Sequence, residues 1–186
     1  RIVDIKPDMA KIRAGRPKVA RMLEQHGGKH GGEIKGGGSI WVSAKTGDLQ
    51  GITAALDGGA DPNEHDPNRI TPLCWAAMTG QIDAARLLID GGADLNHPNG
   101  DGGTPLHGAA FFGRTPMVKL LIEKGANVKA RNDKGESPLD NVTIPWNQEI
   151  AGIMLWIGGL LEIEVNPAAA HAAWPKIADL LRGSTE

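Results

Sequence analysis

Residues 104–113 read TPLHGAAFFG, and residues 71–80, which lie 33 positions earlier, read TPLCWAAMTG. The same offset aligns GADLN at 92–96 with GANVK at 125–129, and one further step back reaches GADPN at 59–63. Self-similarity at one fixed period is the signature of a repeat architecture. The middle of the chain therefore consists of stacked units of 33 residues.

Each unit carries the signals of two helices and a loop. In the unit that begins at Thr104, the threonine is a predicted N-cap and the proline after it suits the first helical turn. Gly113 is predicted to end this helix, because glycine adopts the left-handed conformation at least cost. Apolar spacing predicts a second helix over 117–122, and the polar tract 127–136 predicts a turn or hairpin. The preceding unit repeats these signals, with its second helix over 82–89.

These units resemble the ankyrin-repeat family, because of the 33-residue period, the TPLH string at 104–107 and the Gly-Ala-Asp-x-Asn motif that closes a unit. The resemblance covers residues 38–144. It implies an all-α ankyrin-repeat solenoid, in which helix-turn-helix units with hairpin loops stack side by side. The predicted units are 38–70, 71–103, 104–136 and a partial unit, 137–144.

The sequence departs from the family pattern in two ways. His107 keeps a histidine that, in the family, helps to tie neighbouring repeats. Trp41, Cys74 and Asp140 stand in its place in the other units, so weaker hydrogen bonds between repeats are expected there. Arg69 replaces the usual turn glycine, which leaves the conformation of that hairpin tip open.

The C-terminal region, 145–186, is predicted to be an irregular helical cap. Residues 147–162 predict a helix that is apolar on almost every side. Such a helix is either buried, as a cap on the last repeat, or an interface. Residues 167–182 predict a short helix, a break at Pro175 and a second, amphipathic helix over 176–181.

The N-terminal region, 1–37, is predicted to be a helical segment followed by a glycine-rich linker. Residues 4–7 resemble 164–167 and residues 16–23 resemble 174–181, with a two-residue slip between the two matches. The segment 1–26 therefore resembles the tail of a preceding copy in a longer tandem array. The alternative is that it packs on the first helix pair as an N-terminal cap.

Charge is divided between the two ends of the chain. Residues 1–37 hold nine Lys and Arg against four Asp and Glu, and residues 136–186 hold two against seven. The net charges of +5 and −5 favour head-to-tail contact between chains, so a homo-oligomer formed through the terminal segments is one expectation. Such a contact is heterologous and propagates unless it closes a ring.

Composition excludes several classes of protein. The whole chain has 186 residues and a net charge of −2, whereas a general nucleic-acid binder is strongly basic. The longest mostly apolar stretch, 150–161, is shorter than the roughly 20 residues of a membrane span. The single cysteine, Cys74, forms no internal disulfide and suits a reducing compartment, so a cytoplasmic location is expected.

No catalytic, cofactor or metal site is expected. Residues 38–46 faintly resemble a phosphate-binding loop, but Ser39 and Ala44 occupy the two obligatory glycine positions. His26 and His30 lie in a glycine tract and supply too few ligands for a metal site. Cys74 has no nearby base in the sequence, so a buried structural thiol is expected and the chain is predicted not to be an enzyme.

A surface for a protein partner remains. A glycine ends the first helix of each unit, and the two residues before that glycine are expected to line a concave groove. These residues are 45–46, 78–79 and 111–112. Phe111 and Phe112 form an aromatic pair there, and exposed aromatic residues are enriched at interfaces, although either ring can instead tuck into the repeat. The candidate partner-binding residues are His65, Asn68, Ile70, Trp75, Met78, Thr79, Asp101, Phe111, Phe112, Arg131, Asp133 and Lys134.

The predicted function is therefore that of a non-catalytic protein-protein interaction module. The alternative is a regulatory or scaffolding domain of a larger multidomain enzyme or tandem ankyrin array. A further alternative is a small-ligand pocket between the apolar helix 147–162 and the last repeat.

Overall fold

The computed structural model describes residues 39–184, which contain helices and no strand. This confirms the predicted all-α solenoid of helix-turn-helix units. The predictions for 1–37, including those for His26 and His30, lie outside the described residues. In chain order the helices are α1 (Ile40–Thr46), α2 (Leu49–Asp57), α3 (Pro72–Thr79), α4 (Ile82–Asp90), α5 (Pro105–Phe111), α6 (Thr115–Glu123), α7 (Asp140–Thr143), α8 (Gln148–Leu161) and α9 (Pro167–Gly183).

Local sequence explains where these helices begin and end. The Thr71 hydroxyl accepts the Cys74 backbone N–H at 3.2 Å and so caps α3. At α2, the Asp48 carboxylate accepts the Gly51 N–H at 3.0 Å. Gly80 follows α3 in the left-handed conformation, with φ of 82°, which only glycine adopts without steric cost. The N-cap and the glycine that the sequence predicts for α3 therefore begin and end this helix in the structure.

The helices stack in two rows. The first helices, α1, α3 and α5, form an inner row, and the second helices, α2, α4 and α6, form an outer row. The central helix α3 lies between α1 and α5, and every residue from Pro72 to Met78 is buried. Ala76 and Ala77 are completely buried, because small side chains let neighbouring helices approach closely. The core therefore lies between repeats rather than within one.

His107 and the residues that stand in its place make different hydrogen bonds. His107 Nε2 bonds the Glu136 carbonyl of the next hairpin at 3.0 Å. Trp41 replaces this histidine in the first repeat, and its indole N–H donates to the Glu64 carbonyl at 2.7 Å. Glu64 lies six residues before Ile70, the position that corresponds to Glu136. The Trp41 bond is therefore a different contact, and the weaker tie expected there stays a prediction. Within residues 39–184, Cys74 makes no hydrogen bond to the next hairpin.

The hairpin tip at Arg69 keeps the geometry of the glycine tips. Arg69 has φ of 60°, close to the 77° of both Gly102 and Gly135 at the equivalent positions. The Asp66 carboxylate accepts the Ile70 backbone N–H at 2.8 Å and holds the turn closed. Arg69 is exposed, so its side chain fits while its backbone stays in a region that is costly for a residue with a Cβ.

The C-terminal end of the stack is covered by α9. Helix α9 packs against α5, α6 and α7, whereas α8 packs mainly against α9. Met154, in the middle of α8, is completely buried, but Leu155 and Leu160 are 45% and 43% exposed. The expected cap on the last repeat is therefore mainly α9, and α8 is buried along one side. Within residues 39–184, no helix combines the length and hydrophobicity needed to cross a membrane.

The predicted break at Pro175 is wrong. Helix α9 runs from Pro167 to Gly183 with Pro175 inside it. An interior proline removes one backbone hydrogen bond and costs about 3 kcal/mol. Trp174, before the proline, and Ile177 and Leu181, after it, are all at most 2% exposed. Packing of both halves of the helix against the same end of the stack offsets the lost hydrogen bond.

Replacing Arg69 by glycine is expected to stabilise the fold. The change removes a left-handed strain of about 1–2 kcal/mol and raises the entropy of the unfolded chain by about 0.4–1 kcal/mol. The net gain in the free energy of unfolding is about 0.5–1 kcal/mol. Arg86→Gly, an exposed position inside α4, is the control and should lose about 1 kcal/mol. Urea unfolding measures both, and shifts of equal sign would refute the role of Arg69 backbone strain.

His107 is expected to make stability depend on pH. Its Nδ1 accepts the Thr104 backbone N–H at 3.1 Å, so Nε2 carries the proton that it donates to Glu136. Burial lowers the pKa of His107 below its usual 6.5. As pH falls below about 7, the unfolded chain therefore binds a proton before the folded chain does, and the free energy of unfolding falls.

The variant His107→Gln isolates this effect, because an amide can keep both contacts without titrating. Urea unfolding of both proteins from pH 7.5 to pH 5.5 is the measurement. The wild type should lose stability relative to the variant as pH falls through about 6.5. A stability difference that stays constant with pH would contradict the assignment.

Candidate partner-binding surface

The hairpins form a continuous row along one edge of the stack. This tip row comprises residues 66–70, 99–103 and 132–136. The Arg69 carbonyl accepts the Gly100 N–H at 2.8 Å, and the Asp101 carbonyl accepts the Asp133 N–H at 3.0 Å. Backbone hydrogen bonds thus join each tip to the next, so the row is one rigid surface.

One side chain closes each tip in the same way. Asp66 Oδ1, Asn99 Oδ1 and Asn132 Oδ1 each accept the backbone N–H of the residue four positions later, at 2.8, 3.0 and 3.0 Å. Asp and Asn favour such local bonds to the backbone. The side chains of these three residues hold the turns closed, and neighbouring residues such as Asp101 and Asp133 face solvent.

The tip row and the residues that flank it, His65 and Arg131, hold the predicted rim residues. Asp101, Asp133, Lys134 and Arg131 are exposed. Arg131 lies 3.8 Å from the Asp140 carboxylate. His65 and Asn68 are half-buried, and Ile70 is only 7% exposed. Placing Ile70 on the accessible rim is therefore wrong, because its side chain packs in the core.

The predicted groove residues of α3 lie inside the protein. Trp75 and Met78 are 4% and 6% exposed. The Trp75 indole N–H donates to the Asp66 carboxylate at 2.9 Å, which anchors α3 to the hairpin of the preceding unit. Thr79 is half-buried, and its hydroxyl donates to the Trp75 carbonyl at 2.8 Å. Lys45 covers the same region, with its Nζ 5.1 Å from the centre of the Trp75 ring.

The phenylalanine pair is covered by the C-terminal helix of the same chain. Phe112 is 6% exposed and Phe111 is half-buried. The Trp174 indole N–H donates to the Phe111 carbonyl at 3.1 Å, and the two rings lie 6.4 Å apart. Trp146 and His171 complete this aromatic cluster by stacking at 4.4 Å. The expectation of an exposed pair is wrong, because the rings form an interface within the chain.

Residues 161–166, here called the arm, lie across the C-terminal ends of the first helices. The Lys45 ammonium donates to the Leu161 carbonyl at 2.8 Å. The Arg114 guanidinium donates to the Glu164 carbonyl at 3.1 Å through Nη2 and to the Met78 carbonyl at 2.9 Å through Nε. Burial lowers the pKa of Arg114 from its usual value. One cation from the first repeat and one from the third therefore hold the arm mainly by its backbone.

Two cavities flank the C-terminal segments. One, of about 480 Å³, lies between the arm and the inner helices and is lined by Lys45, Thr46, Thr79, Gln81, Arg114 and four arm residues. The other, of about 280 Å³, lies between α7 and α9. The first cavity is lined mainly by polar and charged residues.

Sequence analysis missed the role of Lys45 and Arg114 in this site. Lys45 was placed in a groove slot, but nothing in the sequence indicates its contact with Leu161, 116 residues away. Arg114 directly follows the glycine at 113, a position that carries no periodic signal. Cys74 is buried, as expected, and burial raises the pKa of Cys74 to about 12, which keeps the thiol neutral.

Comparison with known proteins agrees with this architecture. A family profile described as ankyrin repeats, in three copies, matches residues 40–132. The match spans 93 of 186 residues, half of the chain, and a search of curated proteins finds no match. Ankyrin repeats typically bind protein partners and are typically non-catalytic. The matched segment contains the three helix pairs and the first two hairpins of the tip row, and the chain belongs to the ankyrin-repeat family.

Proposed function

We propose that this chain is a non-catalytic module that binds a protein partner through its tip row and the adjoining concave surface. The observation that carries the proposal is the tip row, in which three hairpins of one geometry are joined by backbone hydrogen bonds. Because these hairpins are already ordered, partner binding loses little conformational entropy at this surface. The exposed charges of Asp101, Asp133 and Lys134 then give specificity.

The reactive side chains of the repeats support a non-catalytic role. Cys74 is buried, with a pKa raised to about 12, whereas a catalytic cysteine needs a lowered pKa and access to substrate. Both ring nitrogens of His107 are engaged in structural hydrogen bonds. A single buried cysteine also suits the reducing cytoplasm.

A charge swap on the tip row should weaken partner binding. The variant Asp133→Lys/Lys134→Glu reverses two exposed charges without changing the net charge. Partners are captured by chemical crosslinking from cells that express the protein, and the dissociation constant of each is then measured with purified proteins. We expect a loss of about tenfold or more, since opposed charges at a rim slow association and weaken the complex.

The matched control is Lys119→Glu/Glu123→Lys, which makes the same swap on the exposed face of α6. Binding should survive in this variant. Equal affinity for all three proteins would refute the tip row as the binding surface.

A second candidate function, membership of a tandem array that self-associates head to tail, is favoured by the burial pattern of α9. Helix α9 buries Ile177, Ala178 and Leu181. Residues 16–23 repeat residues 174–181 in sequence and keep an apolar residue at these three positions. The N-terminal segment thus keeps three of the apolar positions with which α9 covers the stack, although Arg16 stands where α9 has Trp174, and it carries the opposite net charge.

Sedimentation tests this second candidate. The apparent mass of the full chain should rise with concentration at low salt and fall at about 1 M salt, where the Debye length is about 3 Å. Deletion of residues 1–37 should leave a monomer under both conditions. A full chain that stays monomeric at low salt would rule out head-to-tail association.

A further inference from the structure

The arm lies on the inner helices as a bound peptide would. The first repeat holds it through Lys45, the third through Arg114, and Thr79 and Gln81 of the second line the cavity beneath it. The hydrogen bonds from Lys45 and Arg114 go to main-chain carbonyls of the arm, which any peptide possesses. The surface below the arm therefore recognises a backbone rather than this segment alone.

The arm supplies a simple side-chain pattern to this surface. Glu162 and Glu164 are exposed, whereas Ile163 is 9% exposed and Val165 is half-buried. The Glu162 carboxylate lies 3.8 Å from Lys45. Acidic residues thus alternate with branched apolar residues that face the protein.

The ion pair at Glu162 adds little to the hold on the arm. The side chain of Glu162 is 80% exposed, and such surface ion pairs contribute little. Its left-handed backbone, with φ of 53°, belongs to the C-cap of α8, where its N–H bonds to the Gly158 carbonyl. A depression of about 480 Å³ lies between the arm and the inner helices. The arm is therefore held mainly by two hydrogen bonds to its carbonyls and by the buried side chains of Leu161 and Ile163.

We propose that the surface formed by Lys45, Thr79, Gln81 and Arg114 is a peptide-binding surface that residues 161–166 occupy in the free protein. The partner delivers a segment of the same chemistry, in which acidic residues alternate with branched apolar ones, and it displaces the arm. This inference rests on the proposed protein-binding function and names the class of partner. Because the arm competes with the partner, the docked arm lowers the apparent affinity by the fraction of molecules in which it is closed.

A synthetic peptide with the sequence of residues 159–168, GLLEIEVNPA, is the probe, and fluorescence anisotropy measures its binding to the full chain. The variant Ile163→Ala truncates one of the two buried side chains of the arm and leaves the surface beneath it intact. The peptide should bind this variant about tenfold more tightly than wild type, because the tethered competitor is weakened. Ile89→Ala makes the same truncation at a half-buried position of α4 and should behave as wild type.

Two further variants test the chemistry of the surface. Glu162→Lys places a like charge beside Lys45 on an exposed residue, so it should loosen the arm without affecting the fold. It should raise peptide affinity about two- to fourfold, less than Ile163→Ala does, because exposed charge pairs contribute little. Adding Arg114→Gln to Ile163→Ala should lower peptide affinity about tenfold, since it removes the donor to the Glu164 carbonyl. A peptide with lysine at both glutamate positions should bind none of these proteins.

Each contrary outcome overturns the proposal. Equal peptide affinity for wild type, Glu162→Lys and Ile163→Ala would show that the arm does not compete. A wild-type dimer that the peptide dissociates would assign the surface to the arm of a second copy instead of a partner. If the charge swap on the tip row abolishes partner binding while the peptide binds no variant, the protein-binding function stands and this inference fails.

Discussion

The structure depends on burial between neighbouring repeats, because, within residues 39–184, the first helices pack against one another more extensively than against the second helices of their own repeats. Helix α3 shows this most clearly, since each of its residues from Pro72 to Met78 is buried between α1 and α5. A fully buried leucine or methionine contributes about 1.5–3 kcal/mol, and these side chains are buried only when three units stack. Stability therefore comes from nearest-neighbour interfaces.

An architecture that buries residues between units must cover the last unit. Helix α9 does so with Trp174, Ile177 and Leu181, which are at most 2% exposed. Phe111 and Phe112 belong to this closure, because Trp174 bonds to the Phe111 carbonyl. Gly113 also takes part, since a Cβ on it would lie 2.5 Å from the Ala170 Cα. The aromatic residues of the last full repeat thus serve the end of the stack.

The repeats could be predicted from the sequence because each of their determinants is local and recurs at a fixed period. The cap at Thr71 and the left-handed glycine at position 80 act within a few residues of their place in the chain. The position of the arm could not be predicted in this way. Lys45 meets Leu161 across 116 residues and bonds to a carbonyl, a group that every residue carries. No side-chain pattern encodes such a contact.

The candidate site was predicted only where its residues belong to the repeated hairpins. Asp101, Asp133 and Lys134 lie on the tip row and are exposed, as their register indicates. The exposure of Phe111 and Phe112 depends on α9, which covers them and lies outside the repeats. The 33-residue period does not predict where α9 packs. The continuous helix through Pro175 could not be predicted for the same reason. Packing of α9 against the end of the stack offsets the hydrogen bond that the proline removes, and the local sequence does not encode that packing.

The two parts of the C-terminal region are held to the repeats with unequal strength, and this difference bears on function. Helix α9 is fixed by large buried side chains, whose removal from a core typically costs about 3–5 kcal/mol. The arm is held by two cations that bond to its backbone, by the buried side chains of Leu161 and Ile163 and by an exposed ion pair. Local opening follows the weaker contacts first. Helix α9 can therefore remain as the permanent end of the stack while the arm leaves the inner helices, so exposing the concave surface does not require the solenoid to lose its cap.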